Sequence, residues 1–138
     1  MQGRIHEIRV ETTDPPAVYT QWEDARGLVH GLVEGVTHLA AVEKYAAATV
    51  EASERQARKI RLVLDFSLHT TAEPEARKFM VEHFFGEKTV IERMAVFGCS
   101  KELRFAMQMY QRVAKNELEI FDDEAEAVAW LLEGRSSE

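Results

Sequence analysis

Lys59-Ile60-Arg61-Leu62-Val63-Leu64-Asp65-Phe66-Ser67 is the stretch that most restricts what this chain can become. Its short apolar run closes on a carboxylate and a hydroxyl, and it reads as one strand buried within a sheet. The segments before it read as a scaffold leading into it. The segments after it repeat its logic twice, as strand and then helix.

The scaffold begins with alternation. Ile5, Glu7 and Arg9 fall on one parity and His6, Ile8 and Val10 on the other, as in a half-buried edge strand that ends before Pro15-Pro16. In Ala17-Val18-Tyr19-Thr20-Gln21-Trp22-Glu23, the residues Val18, Thr20 and Trp22 share a face, and the aromatic and β-branched content is strand-like. Asp24-Ala25-Arg26-Gly27 predicts a hairpin turn. A third strand over 28–34 then closes at Gly35, with Thr37 as helix N-cap. From His38 the period turns helical. Leu39, Val42, Tyr45, Ala46, Thr49, Val50 and Ser53 form one stripe, and the helix frays near 56–59.

Beyond Ser67, residues 68–72 predict a polar connector, and Thr71 or Glu73 starts a helix with Pro74 in its first turn and Gly86 as its stop. A strand over 90–97 follows, then a turn at Gly98-Cys99-Ser100 and a helix from 101 to about 116. A short strand over 117–121 and a last helix capped by Asp122-Asp123 complete the order β-β-β-α-β-α-β-α-β-α. The fold class is therefore α/β: a mixed sheet with antiparallel N-terminal strands and a parallel βαβαβ half, covered by helices. With 138 residues the chain makes one domain over 1–134, and 135–138 read as a frayed tail.

Composition narrows the function. The net charge of -7 argues against a nucleic-acid partner, which calls for a basic face. No apolar run reaches the ~20 residues that cross a bilayer, so no stable membrane insertion is expected. The residues from Met1 lead into a polar alternating strand rather than a signal peptide, and the expected location is cytoplasmic. A single cysteine, Cys99, allows no internal disulfide and no thiolate metal cluster. His6, His30, His38, His69 and His83 show no metal-ligand spacing, so neither a metal nor a cofactor is expected.

In open α/β sheets ligands collect at the carboxyl ends of parallel strands. That rim carries Asp65, Ser67, His69, Thr70 and Thr71 after one strand, Gly98, Cys99 and Ser100 after the next, and Asp122 and Asp123 after the last. Two readings apply. In one, Asp65, Ser67 and His69, or Cys99 at a helix start, act as a small hydrolase or transferase. In the other, Asp65 and Ser67 cap loop amides and Cys99 is a small buried residue. No Gly-x-Ser-x-Gly elbow exposes the serine, and the second reading is preferred: no catalytic residue is assigned. His69 and His83 are placed to meet across the loop and helix.

One feature exceeds what a core needs. The helix after Ser100 has a stripe of Leu103, Ala106, Met107, Tyr110, Val113 and Ala114, with Phe105 and Met109 off it. The preceding helix adds Phe79, Met80, His83 and Phe84. Surplus apolar side chains on two consecutive helices mark a partner surface or a greasy pocket, with Phe79, Phe84, Phe105 and Met109 lining an exposed patch or cleft.

Gly35-Val36-Thr37, then residues 61–67, then Ile91-Glu92-Arg93-Met94-Ala95-Val96-Phe97-Gly98, Glu119-Ile120-Phe121 and Glu126-Ala127-Val128-Ala129-Trp130-Leu131 carry a resemblance over about three quarters of the chain. The chain resembles the SpoIIAA-like family, related to the STAS domains of anti-sigma-factor antagonists and sharing a fold with CRAL-TRIO-type lipid carriers. Those antagonists carry a phosphorylatable serine in an Asp-Ser-Ser-Gly context. Here the matching stretch is Thr71-Ala72-Glu73-Pro74-Glu75, without that serine; Thr70 or Thr71 is a weak substitute, and a phosphorylation switch of that kind is not expected. The resemblance implies a non-enzymatic binding or regulatory module. Its partner would be another protein or a second copy in a homodimer, or else a small amphiphile. A purely structural homodimer subunit is a further reading.

Overall fold

The computed structural model describes residues 3–134; Met1, Gln2 and the expected frayed tail at 135–138 lie outside the described residues. The elements are β1 (Ile5–Thr13), β2 (Pro16–Glu23), β3 (Val29–Thr37), α1 (Leu39–Gln56), β4 (Ile60–Ala72), α2 (Pro74–Phe85), β5 (Ile91–Phe97), α3 (Lys101–Val113), β6 (Glu117–Phe121) and α4 (Glu124–Leu131). All six strands join one sheet in chain order. β1, β2 and β3 pair antiparallel, and every pairing from β3 to β6 is parallel, as expected. Parallel crossovers of one hand that step in one direction put their helices on one face. α1, α2 and α3 do share a face, and α4 covers the other.

β4 divides the two cores by its alternation. Ile60, Leu62, Leu64 and Phe66 enter the larger core with Tyr19, Val42, Met80, Phe84 and Met107. Val63 enters the smaller one with Leu28, Ala95, Ala127 and Leu131. Burying four such side chains is worth roughly 6–12 kcal/mol before chain entropy is counted, which is comparable to a whole domain's net stability. A one-residue slip would turn Arg61 and Asp65 into the larger core, so the register is fixed.

Arg61 itself is 6% exposed. Its Nε donates to Glu92 Oε1 (3.0 Å), and its Nη1 donates to the carbonyls of Leu131 (2.5 Å) and Glu133 (2.7 Å). Arg93 on β5 donates to the Trp130 carbonyl (3.0 Å). These are carbonyls at the end of α4, where a helix lacks internal partners and its dipole attracts cations. Two sheet arginines thus pin α4 to its face.

Several local expectations are corrected. β3 runs through Gly35 instead of closing there. Gly35 has φ +83 beside a shift in the β3–β4 register, where β4 carries the extra residue Thr70, and a side chain at Gly35 would strike the Pro16 carbonyl, so this position calls for glycine within the strand. Thr37 is the last residue of β3, not the N-cap; His38 holds that place without a side-chain cap bond. The buried side of α1 is Ala41, Val42, Tyr45, Ala46, Ala48, Thr49 and Ala52, while Leu39 is exposed. Alanines let the helix lie close to its neighbours, which rotates the stripe. α3 ends at Val113, where Ala114 turns extended and the Lys115 backbone N–H leaves the helix to donate to the Phe85 carbonyl (2.8 Å), while the Asn116 side-chain amide donates to the carbonyls of Phe84 (2.8 Å) and Ile91 (2.9 Å). The largest correction is β4, which continues as strand to Ala72 where a connector was expected.

Replacing Arg61 with Met should strip the Leu131 carbonyl of its arginine, leave the Glu133 carbonyl to Arg93 alone, and lower stability by about 2–4 kcal/mol. Urea unfolding checks this, and α4 amides should exchange faster than in the wild type. A loss below ~1 kcal/mol would show that the arginine does not pin the helix.

Candidate functional site at the strand ends

The carboxyl end of β4 overshoots its neighbour. β5 pairs with it up to Asp65, opposite Phe97, whereas β3 follows it to Ala72. At the parting point Gly98 has φ +74 and lies against the Ser67 backbone. A Cβ there would sit 2.8 Å from the Ser67 nitrogen, so only glycine lets the chains run this close before α3 turns away. Asp65 Oδ1 accepts from both the backbone N–H (2.9 Å) and the hydroxyl (2.6 Å) of Ser67. The pair closes on itself as a local cap.

His69 lies elsewhere. Its Nε2 is 3.0 Å from the Thr37 hydroxyl and its ring stands edge-on to Phe66, tying the end of β4 to the end of β3. Burial pushes its pKa down, which favours the neutral ring. Cys99 is half-buried against the larger core, and burial lifts its thiol to about 11 against the opposing pull of Arg104. Ser100 caps α3, accepting from the Leu103 N–H (3.1 Å). Among the described residues no hydrogen bond joins Ser67, His69 and Cys99, so the nucleophile–base set weighed from the sequence is not assembled. No group of three or more potential metal ligands occurs among the described residues, and no helix there is long and apolar enough to cross a membrane.

A groove of about 150 Å³ runs between the end of β4, α2 and α3. Its apolar side is Phe66, Met80, Leu103, Ala106 and Tyr110; its polar side is His69, Thr70, Thr71, Arg77, Ser100 and Glu102. Burial raises the pKa of the Tyr110 hydroxyl, and the charge of Arg77 opposes that shift.

The residues expected to line one apolar patch separate into three settings. Phe84 (4% exposed) is in the core, and so is Met80 (7%), which also floors the groove. Phe79 and His83 are half-buried and stack on each other; His83 Nε2 is 3.3 Å from the Thr49 hydroxyl, joining α2 to α1. Phe105 and Met109 are exposed, 64% and 47%, and Val113 joins them at 57%. The expected cleft of Phe79, Phe84, Phe105 and Met109 does not form. Instead α3 presents a stripe at i, i+4 and i+8, because only Met107 of this helix is fully buried. His69 and His83 share no hydrogen bond or ring contact; each is held by a different threonine. Sequence reasoning missed Arg77 and the extension of β4 as parts of the groove. The signal was present in Leu68-His69-Thr70-Thr71, an uncharged β-prone run with no glycine or proline.

Burial holds the pKa values of both His69 and His83 down; at His83 the hydrogen bond to the Ala46 carbonyl partly opposes the shift. The folded state therefore binds fewer protons than the unfolded chain near pH 6.5, so the contribution of these two histidines to stability is complete above about pH 7 and is lost as the pH falls below about 6.5. The variant His69→Gln/His83→Gln should flatten that slope in urea titrations; an unchanged slope would remove these histidines from the acid response.

Comparison with known proteins agrees with this architecture. The sequence profile described as SpoIIAA-like matches residues 28–132. The structure is similar to the anti-sigma factor antagonist SpoIIAA in its unphosphorylated form, with TM-score 0.61 and 16% identity over 84% of this chain and 98% of that one. It is also similar to an uncharacterized protein with a SpoIIAA-like fold from Shewanella loihica PV-4, with TM-score 0.56 and 15% identity over 95% of each chain. No curated protein matches by sequence. At these identities the structural likeness speaks for the fold, and the profile, spanning more than half of the chain, speaks for the family. This chain belongs to the SpoIIAA-like family.

Proposed function

We propose that this chain is a cytoplasmic, non-enzymatic regulatory module that works by binding another protein, with the exposed face of α3 as its main contact. The observation that carries this reading is the stripe of Phe105, Met109 and Val113, three large apolar side chains in line on one helix and in water. Single exposed apolar residues are ordinary, whereas an aligned set beside a groove is typical of an interaction surface. The rim supports the same reading: Asp65 and Ser67 bond to each other, His69 to Thr37, and the Cys99 thiol has little thiolate near neutral pH. Similarity to an anti-sigma factor antagonist, a protein that acts on another protein, points the same way. Ser100, Leu103 and Met80 belong to this reading as the groove beside the stripe.

Native mass spectrometry of gently purified protein tests it. The wild type is expected in complex with a polypeptide, its own copy or another. The variant Phe105→Glu/Met109→Glu is expected as a bare monomer with an unchanged melting temperature, since both side chains stand in solvent. Two bare monomers, or a retained small molecule in place of a polypeptide, would contradict the reading.

A further inference from the structure

The overshoot of β4 leaves an inner strand with one open edge. Beyond Asp65 no strand among the described residues pairs with β4 on its β5 side, yet the strand continues on β3 to Ala72. The open stretch is bracketed. At its start the Ser67 N–H is taken by the Asp65 carboxylate (2.9 Å), and at its end Arg77 Nε donates to the Ala72 carbonyl (3.0 Å). Between them, Leu68, His69 and Thr71 pair with Glu34, Gly35 and Val36 of β3, Thr70 is the extra residue at a shift in that register, and β3 is the only strand beside them among the described residues. In a parallel ladder a strand turns alternate N–H and C=O groups to each neighbour, so part of this backbone faces away from β3.

Sheet edges are normally guarded. The outer strand β1 carries Glu7, Arg9 and Glu11, and β6 is only five residues long with Glu117 and Glu119. The open stretch of β4 is Leu68-His69-Thr70-Thr71, with no lysine, arginine, carboxylate or proline and with Leu68 55% exposed. Burial holds the pKa of its one histidine below the usual value. Beside it lies the groove, whose apolar side can take alternate side chains of an extended chain and whose Arg77 and Glu102 can take one charge of each sign.

We infer that this edge accepts an extended segment of a partner polypeptide, added as a strand beside β4 along the line that β5 vacates. The occupant is one extended chain with apolar side chains at alternate positions, because unpaired backbone groups on a strand are matched by another strand. A second copy is a poor occupant: its own outer edges are charged, and its own β4 edge is flanked by α3. The inference rests on the protein-binding reading above and specifies how the partner is held.

The test pans a phage-displayed library of random twelve-residue peptides against the full chain. Enriched peptides should show apolar alternation, and their binding should slow hydrogen exchange of the amides in 68–71 at least tenfold. N-methylation at alternate peptide positions should weaken binding tenfold or more, with the intervening positions tolerant. Ala106→Phe, which fills the groove, should do the same, and the N-methyl series stands even if that variant folds poorly. No enrichment, peptides that leave 68–71 unprotected, or a self-dimer that already occupies this edge would overturn the inference. Peptides indifferent to N-methylation but lost with Phe105→Glu would overturn strand addition and leave the α3 contact standing. Peptides that protect 68–71, in a chain whose native complex survives Phe105→Glu/Met109→Glu, would support strand addition and remove the α3 contact.

Discussion

Arg61 and Leu62 are neighbours in the chain and belong to opposite faces of the sheet. Leu62 is packed beneath α1 and α2, and Arg61 reaches out on the other side to hold the end of α4. This alternation in β4 is the constraint on which the remaining structure depends. It commits three helices to one face and one to the other, and it makes the register of the central strand too costly to change. The smaller core is slight, five fully buried residues, so the bonds from Arg61 and Arg93 contribute to α4 what apolar area alone would not.

The same strand generates the candidate site by running too far. Its apolar half is matched in length by β5, and its polar half is matched only by β3. Gly98 permits the close parting, Asp65 caps the amide that follows it, and the His69–Thr37 contact ties the extension to β3. The groove is what remains between that extension and α3. The polar residues that could be drawn as a catalytic set are bonded instead to each other or to β3: Ser67 to Asp65, and His69 to Thr37.

Much of this was legible in the residues. The order of elements, the antiparallel start, the parallel half and the helix start at Pro74 all follow from period, proline position and the buried run at Ile60. The exposure of Phe105 and Met109 agrees with their place off the expected stripe of α3, but Val113, expected on that stripe, is exposed in line with them. What failed did so for physical reasons. Polar composition suggested a connector at 68–72, but strand pairing there is decided by β3, which no local pattern reports. Glycine at 35 looked like a stop because this place in the strand and a turn ask for the same positive φ. Met80 and Phe84 looked like surface surplus because periodicity gives a face and not its neighbour. The buried bond from the Tyr19 hydroxyl to Gln21, whose amide reaches the Ala48 carbonyl, depends on α1 crossing β2 and has no signature along the chain.

β4 is two strands in one: a core strand as far as Phe66 and an open-edged extension beyond it. Native-state hydrogen exchange of the free protein, read amide by amide along β4, addresses this most directly. Amides in 61–66 should exchange only by global unfolding, and those in 68–72 should open locally at a free energy several kcal/mol lower, with the break at Ser67. Uniform protection from Ile60 to Ala72 would contradict the account, because it would mean that the extension is as fully enclosed as the core.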